Sequence, residues 1–207
     1  MPVIAFVGNK GGAGKTTLSI NVASCLAQHS NVVVVDADPQ GSSLQWRAFS
    51  EKENAVPVVE ADELLEQQAG QLLQKYDYVI FDCPPSVHAV QTTAVLGFCD
   101  TTLIPVQPSP VDLWATVHIE EAVLQARRDN TQLRAFLVIN QMEPRTTLSR
   151  LVRDALSEIG LPVATTALRR RAIFRNSVLD GKSVFDMGRR GSDAAHEIQQ
   201  LLHEVLI

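Results

Sequence analysis

Residues 10–17, KGGAGKTT, form a glycine-rich segment that ends in a lysine and two threonines. The segment before it, VIAFVG (3–8), is apolar and predicts a buried strand, and residues 15–28 place apolar side chains at helical spacing. A glycine-rich loop between a strand and a helix binds phosphate, because its N–H groups converge on the oxygens and the helix N-terminus favours negative charge. We therefore predict a nucleotide-binding loop made of Gly11, Gly12, Ala13, Gly14, Lys15, Thr16 and Thr17.

Within this loop, Lys15 is expected to reach the β- and γ-phosphates and Thr16 to bind Mg²⁺. The strict pattern GxxxxGK[ST] fails at one position, where Asn9 replaces the first glycine. The alternative is a glycine-rich turn that only packs a helix on a strand, and the lysine followed by two threonines argues against it. The loop also holds a second lysine, Lys10, which phosphate binding within one chain does not require.

Further apolar runs alternate with helical patterns along the rest of the chain. The predicted strands cover 31–39, 56–61, 78–86, 101–110, 134–141 and 161–168, and the predicted helices cover 61–76, 111–128, 146–160 and 192–207. Continuously apolar strands that alternate with helices are typical of a parallel sheet covered on both faces. We predict an α/β fold with a doubly wound, mostly parallel sheet and, from the length of 207 residues, a single domain over 1–207.

Acidic residues stand at the ends of two predicted strands, where ligands bind in sheets of this kind. Asp36 and Asp38 close one strand and share a face, and Asp82 closes another. Beside a triphosphate, one carboxylate can orient the water shell of a metal while another polarises the attacking water. The spacing of Asp36 and Asp38 fits a helix cap and a turn equally well. Asp82 follows an apolar strand, as does a Walker B aspartate that holds Mg²⁺.

Together these motifs resemble those of the ParA family of partition ATPases. This family belongs to a deviant-Walker group that also includes MinD, the nitrogenase iron protein and the tail-anchored-protein targeting ATPases. The matching elements are KGGAGKTT, DADPQG, FDCPPS, IPVQPSP and LDGKSVFD (179–186), and they span nearly the whole chain. The family usually carries Asn two residues before its signature lysine, where this chain has Gly8 followed by Asn9. The resemblance implies a P-loop ATPase that uses ATP and Mg²⁺ and hydrolyses slowly until a partner stimulates it.

The resemblance also implies roles for individual residues. Lys15 is the Walker lysine, Asp38 activates the water, and Lys10 is the signature lysine that crosses a dimer interface to the partner's nucleotide. The other implied positions are the Mg²⁺ site (Thr16, Asp36 and Asp82) and the adenine site (Asn140 and the loop from Pro105 to Pro110, including Pro108).

Electrostatics supports a role for Lys10 in a homodimer. Two ATP molecules that face each other concentrate negative charge in one interface, and a lysine from each subunit offsets that charge. Dimerisation then depends on ATP, and hydrolysis removes the reason for the two subunits to stay together.

Charge is unevenly distributed along the chain. Residues 127–190 contain 13 Lys and Arg against 6 Asp and Glu, a local charge of +7 in a chain whose net charge is −5. Charge alone favours a solvated, salt-bridged surface over nucleic-acid binding. Members of the ParA family, however, bind DNA without sequence preference through basic residues in this region, and Arg171 matches a position that serves the fold or nucleotide coupling. The predicted DNA contacts are Arg169, Arg170, Arg175, Lys182, Arg189 and Arg190.

Three other functions remain open. MinD-like membrane binding needs a basic amphipathic C-terminal helix, whereas 192–207 carries acidic residues and no Lys or Arg. Electron transfer needs cysteines that hold a cluster between subunits, and among Cys25, Cys83 and Cys99 only Cys99 stays open for that role. A metabolic P-loop enzyme needs a second substrate pocket, for which 207 residues leave little chain.

The resemblance finally implies partners and a place in the cell. It implies a short form without an N-terminal helix-turn-helix extension, and a small adaptor protein that stimulates hydrolysis and links to a cargo. The cargo stays open between a plasmid, a chromosome region and a protein assembly such as a carboxysome or a chemoreceptor cluster. The sequence shows no signal peptide and no apolar run of about 20 residues, so we expect a cytoplasmic, nucleoid-associated protein without a membrane partner.

Overall fold

A computed structural model describes residues 2–52, 55–143, 146, 151, 152, 154–156 and 158–206. Within them, one sheet is built from six strands. These are β1 (Val3–Phe6), β2 (Val32–Asp36), β3 (Val58–Glu60), β4 (Tyr78–Asp82), β5 (Thr101–Val106) and β6 (Arg134–Ile139). Their order across the sheet is β3-β2-β4-β1-β5-β6, and every neighbouring pair is parallel. The predicted parallel sheet is confirmed.

Helices follow most of the strands. Within the described residues they are α1 (Lys15–Leu26), α2 (Ser42–Phe49), α3 (Leu65–Leu72), α4 (Val90–Leu96), α5 (Pro110–Ala126), α6 (Ala172–Leu179) and α7 (Ser192–Leu206). Two 3₁₀ turns, Val184–Asp186 and Gly188–Arg190, precede α7. The short helices α2, α4 and α6 were not predicted from the sequence.

Two apolar cores cover the two faces of the sheet, which explains why its strands are apolar throughout. Along β4, Phe81 packs into a core with α3, α4 and α5, whereas its neighbour Ile80 packs into a second core with α1 and α7. The helix after β1 and the helix after β4 therefore lie on opposite faces of the sheet. In a doubly wound fold, the carboxyl ends of two such neighbouring strands are where a ligand is expected to bind.

The strand predicted over 161–168 is wrong. This segment runs beside β6 and pairs with it at one isolated bridge, Leu137 with Val163, and the N–H of Leu168 donates to the carbonyl of Ile139 at 2.9 Å. Pro162 has no N–H to donate, and the N–H groups of Thr165 and Thr166 donate to the Glu204 carboxylate, at 2.5 and 2.9 Å. Because these donors are absent or occupied, a continuous ladder cannot form. The helix predicted over 146–160 lies partly outside the described residues, of which 151, 152 and 154–156 are helical.

Candidate functional site

The glycine-rich loop joins β1 to α1 at the carboxyl edge of the sheet. Gly12 and Gly14 adopt left-handed backbone angles, with φ of +78° and +100°, which other residues reach only with strain. A Cβ atom at Gly14 would lie 2.3 Å from Asn140 Nδ2, whereas a Cβ at Gly11 or Gly12 would meet nothing within 4 Å. Asn140 thus packs against the loop at Gly14, whereas the loop is open at Gly11 and Gly12, where a phosphate would bind.

The two lysines of the loop contact each other through the backbone. Lys15 is 6% exposed, and its Nζ donates to the carbonyl oxygen of Lys10 at 3.2 Å. Burial lowers the pKa of Lys15, and the nearby carboxylates of Asp82 and Asp38 partly oppose that change. Lys10 itself is exposed. Lys15 is thus buried against the loop and Lys10 is exposed, and the roles assigned to the two lysines stay predictions.

The three predicted carboxylates come together beside the loop. Asp36 and Asp82 end adjacent strands and are paired in register. Asp36 accepts hydrogen bonds from the N–H of Asp38 at 3.2 Å and of Leu44 at 2.9 Å, and Asp38 accepts one from the N–H of Gln40 at 3.0 Å. Burial also raises the pKa of Asp36. A cluster of acidic oxygens therefore faces the phosphate loop.

Asp82 is the most buried member of this cluster, with no exposed area. Its Oδ2 accepts a hydrogen bond from Ser43 Oγ at 2.7 Å, and the side chains of Ser43 and Thr16 act to lower the pKa of this carboxyl. Its Oδ1 has no hydrogen-bond partner among the described residues. Burial raises the pKa of Asp82 to about 6. A buried carboxylate oxygen without a partner is costly unless a ligand or ion satisfies it.

The donor set suits Mg²⁺, which prefers oxygen ligands and keeps several waters and phosphate oxygens. Thr16, Asp82 and Asp36 would supply the protein oxygens. The described part of the chain contains no group of three or more His, Cys, Asp and Glu side chains that could hold a metal by itself. Mg²⁺ at this edge would complete its shell with waters and phosphate oxygens.

The predicted adenine contacts are placed unequally. Asn140 is 6% exposed; its Nδ2 donates to the carbonyl of Ala13 at 2.7 Å, and its Oδ1 accepts from the N–H of Gln141 at 2.9 Å. Pro105 is buried within β5, whereas Pro108 lines an open cleft of about 350 Å³. Asn140 thus supports the loop, and Pro108 is the better placed of the two prolines to contact a base.

Sequence analysis missed two residues at this site. Ser43 binds Asp82, and Gln107 Nε2 donates to the carbonyl of Gly12 at 2.6 Å. Gln107 was inside the motif IPVQPSP, so its polar side chain among prolines was a usable signal. Ser43 follows the motif DADPQG, which contains two carboxylates. A hydroxyl residue at this position, where a helix begins, was a weaker signal than Gln107.

The predicted DNA-binding residues are all exposed, although some are already paired. Arg170 Nη1 lies 2.8 Å from Glu143, and Arg169 Nε lies 3.7 Å from Glu197. Arg171 binds Glu197 at 2.8 Å and Asp193 at 3.1 Å and is largely covered. The exposed candidates without such an acidic contact within the described residues are Arg175, Lys182, Arg189 and Arg190.

The cysteines and the C-terminal helix bear on the alternatives. Cys83 and Cys99 are buried, and burial raises the pKa of Cys99 to about 12, so this thiol is unsuited to hold a cluster between subunits.

The apolar face of α7, with Ile198, Leu201 and Leu202, is buried in the core that it shares with α1. Among the described residues, no helix combines the length and the apolar character that crossing a membrane requires.

Comparison with known proteins places residues 4–184 in the family model of the CobQ/CobB/MinD/ParA nucleotide binding domain. The maintenance of carboxysome distribution protein A of Halothiobacillus neapolitanus is 45% identical over 206 residues, which cover 98% of this chain and 95% of that protein.

Solved structures show the same fold. An ATP complex of a McdA variant from Cyanothece matches with a TM-score of 0.77 at 17% identity, covering 100% of this chain and 97% of that one. Cobyrinic acid a,c-diamide synthase from Mycobacterium smegmatis, with a bound ATP analogue and magnesium, matches with a TM-score of 0.73 at 22% identity, covering 98% and 94%. Because a synthase shares the fold, the fold by itself does not select a function.

Proposed function

The chain belongs to the CobQ/CobB/MinD/ParA family of nucleotide-binding domains, and we propose that it is an ATPase that dimerises with ATP, binds DNA without sequence preference and distributes carboxysomes. The observation that carries the proposal is the 45% identity, over 98% of the chain, with a carboxysome distribution protein. That identity favours one of the open cargoes over plasmids, chromosome regions and chemoreceptor clusters. It also disfavours a metabolic P-loop enzyme, which the shared fold alone does not.

Within one subunit, ATP would bind along the glycine-rich loop. The Lys15 amine is already at the site and would exchange the Lys10 carbonyl for phosphate oxygens. Thr16 and Asp82 would hold Mg²⁺, with Asp36 acting through its water shell, and the ion when bound neutralises charge on the β- and γ-phosphates. Asp38 lies beside this group and would orient the attacking water and accept its proton.

Across the proposed dimer, Lys10 would act on the partner's nucleotide. Its exposed position at the rim of the loop is compatible with reaching out of its own subunit. A lysine donated in trans makes dimerisation depend on the charge of bound ATP. Turnover would stay slow until a small adaptor protein completes the site. The same adaptor would link the ATPase to its cargo.

DNA binding would use the exposed basic residues that have no acidic contact. If Arg175, Lys182, Arg189 and Arg190 of both subunits each neutralise one phosphate, the slope of log affinity against log salt concentration is about −7. The same surface would keep the protein in the cytoplasm and on the nucleoid. MinD-like membrane binding is disfavoured because the apolar face of α7 is buried.

The test is retention of non-specific DNA with ATP and with ADP across a salt series. We expect retention with ATP that weakens steeply with salt, and little retention with ADP. Lys182→Ala should reduce retention, whereas Lys75→Ala, an exposed lysine outside the basic region, should not. Flotation with anionic liposomes in the absence of DNA retention would support the membrane function instead.

The cargo is tested in the host that encodes the chain. Deletion should cause its carboxysomes to cluster, and the wild-type chain but not Lys10→Ala should restore their spacing. Normal spacing after deletion would refute carboxysomes as the cargo without affecting the proposed DNA binding.

A further inference from the structure

The first turn of α2 is attached to both strand-end carboxylates of the site. Ser43 Oγ donates to Asp82 Oδ2 at 2.7 Å, and the N–H of Leu44 donates to Asp36 Oδ2 at 2.9 Å. Ser43 has no exposed area, so its hydroxyl has no competing water. A change in the charge or position of these carboxylates therefore acts directly on α2.

The next turn of α2 is attached to the segment 181–186. Trp46 is 4% exposed, and its indole Nε1 donates to the carbonyl oxygen of Lys182 at 3.1 Å. Gly181 packs against the end of the helix so closely that a Cβ there would lie 2.6 Å from the carbonyl group of Phe49. The backbone of Lys182 is thus held by α2, while its side chain, a candidate DNA contact, stays exposed.

A cavity of about 230 Å³ lies between α2 and the segment 181–186. Trp46, Ser50, Ser183 and Phe185 are among its lining residues, and Lys52 pairs with Asp186 beside it at 2.6 Å. Ser50 Oγ is buried and has no hydrogen-bond partner among the described residues. The cavity is partly open to solvent and leaves free space beside the contact between Trp46 and Lys182.

A second connection holds the same segment to the phosphate loop independently of α2. Asn21 Nδ2 donates to the carbonyl of Thr17 at 2.7 Å, and Asn21 Oδ1 accepts from the N–H of Val184 at 2.8 Å. Asn21 is fully buried. The segment is therefore held at two points, at Val184 by Asn21 and at Lys182 by Trp46.

From these contacts we propose that α2 couples the carboxylates of the nucleotide site to residues 182–190, which include the proposed DNA contacts Lys182, Arg189 and Arg190. Ser43 is the positioning residue toward the carboxylate of Asp82, and Trp46 is the positioning residue toward the backbone of Lys182. Nucleotide and Mg²⁺ at Asp82 and Asp36 would fix the first turn of α2, and the Trp46–Lys182 contact would pass that change to the basic residues. This inference rests on the proposed ATP-dependent binding of DNA.

Tryptophan emission tests the first half of the coupling without measuring turnover. The chain has two tryptophans, and Trp114 is 72% exposed, so Trp114→Phe leaves Trp46 as the single reporter. We expect Mg²⁺ and ATP to change the Trp46 emission. Ser43→Ala should abolish most of that change at Mg²⁺ and ATP concentrations that saturate the variant, and Ser43→Thr, which keeps the hydroxyl, should restore it.

DNA retention tests the second half. Trp46→Phe keeps a buried ring and removes one N–H donor, and it should weaken ATP-dependent retention by roughly fivefold, the size of one lost hydrogen bond. Trp114→Phe is the matched control for loss of an indole and should retain DNA like the wild type. If these variants fail to fold, hydrogen exchange of the unsubstituted chain replaces them. Mg²⁺ and ATP should then slow the exchange of the amide hydrogens of α2.

The coupling is refuted if Ser43→Ala keeps the full emission change, if Trp46→Phe retains DNA like the wild type, or if the α2 amides exchange equally with and without ATP. Failure of the wild type to retain DNA with ATP has a different meaning, because it refutes the proposed function. The emission and exchange measurements need no DNA and still decide whether α2 responds to nucleotide.

Discussion

Replacement of Asp82 by asparagine should stabilise the nucleotide-free protein, and the gain should depend on pH. Burial raises the pKa of this carboxyl from 3.8 to about 6. Between pH 4 and 6 the folded chain therefore holds a proton that the unfolded chain has released, so the free energy of unfolding falls as the pH rises. At about 1.36 kcal/mol per pH unit, the loss reaches about 3 kcal/mol above pH 6. Asparagine has a similar shape, keeps an acceptor for Ser43 and does not ionise.

The assay is urea unfolding of wild type and Asp82→Asn without nucleotide at several pH values from 4 to 8. The two proteins should be about equally stable near pH 4, and the variant should be more stable by about 3 kcal/mol at pH 7.5. In a chain of this size that gain raises Tm by roughly 6–12 °C. Glu66→Gln removes an exposed carboxylate on α3 and should change stability by less than about 0.5 kcal/mol at each pH.

Adding Mg²⁺ and ATP should reverse the order of stability, because only the wild type gains a partner for the Asp82 carboxylate. The reasoning is refuted if Asp82→Asn is no more stable than the wild type at pH 7.5. It is equally refuted if the stability difference between the two proteins does not change with pH, since burial of a charge would then not be its cause.

Three further substitutions test the site. Lys10→Gln should bind ATP nearly as the wild type does but form no ATP-dependent dimer by light scattering, and a persisting dimer would exclude the trans role. Asp38→Ala should slow hydrolysis at least about 100-fold and trap the ATP dimer, so rapid phosphate release would remove Asp38 from water activation. Gly14→Ala should lower the free energy of unfolding in urea by about 2–3 kcal/mol, because it strains the backbone and displaces Asn140; a loss below about 0.5 kcal/mol would contradict that steric account.

The parts of the site that could be predicted from sequence lie within short motifs. The glycine-rich loop and the two strand-end carboxylates Asp36 and Asp82 were found because parallel strands bring their carboxyl ends to one edge. The structure places these carboxylates side by side. Ser43 was missed because its partner is 39 residues away, and no local pattern marks such a contact.

The errors in the fold have the same origin. The segment 161–168 has the composition of a strand, yet Glu204 binds the N–H groups that a strand would need. The helices α2 and α4 span eight and seven residues, too few for helical periodicity to stand out. Charge counting found the basic region but not that Arg170 already pairs with Glu143.

The hydrogen bond from Lys15 to the Lys10 carbonyl ties the two lysines of the loop to each other. A lysine ammonium carries three donors, so the Lys15 amine can bind a phosphate oxygen beside this carbonyl or in its place. In the proposed dimer, a change in this bond on nucleotide binding would move the backbone from which Lys10 reaches toward the partner. The loading of one subunit and its contact with the other would then meet at a single hydrogen bond.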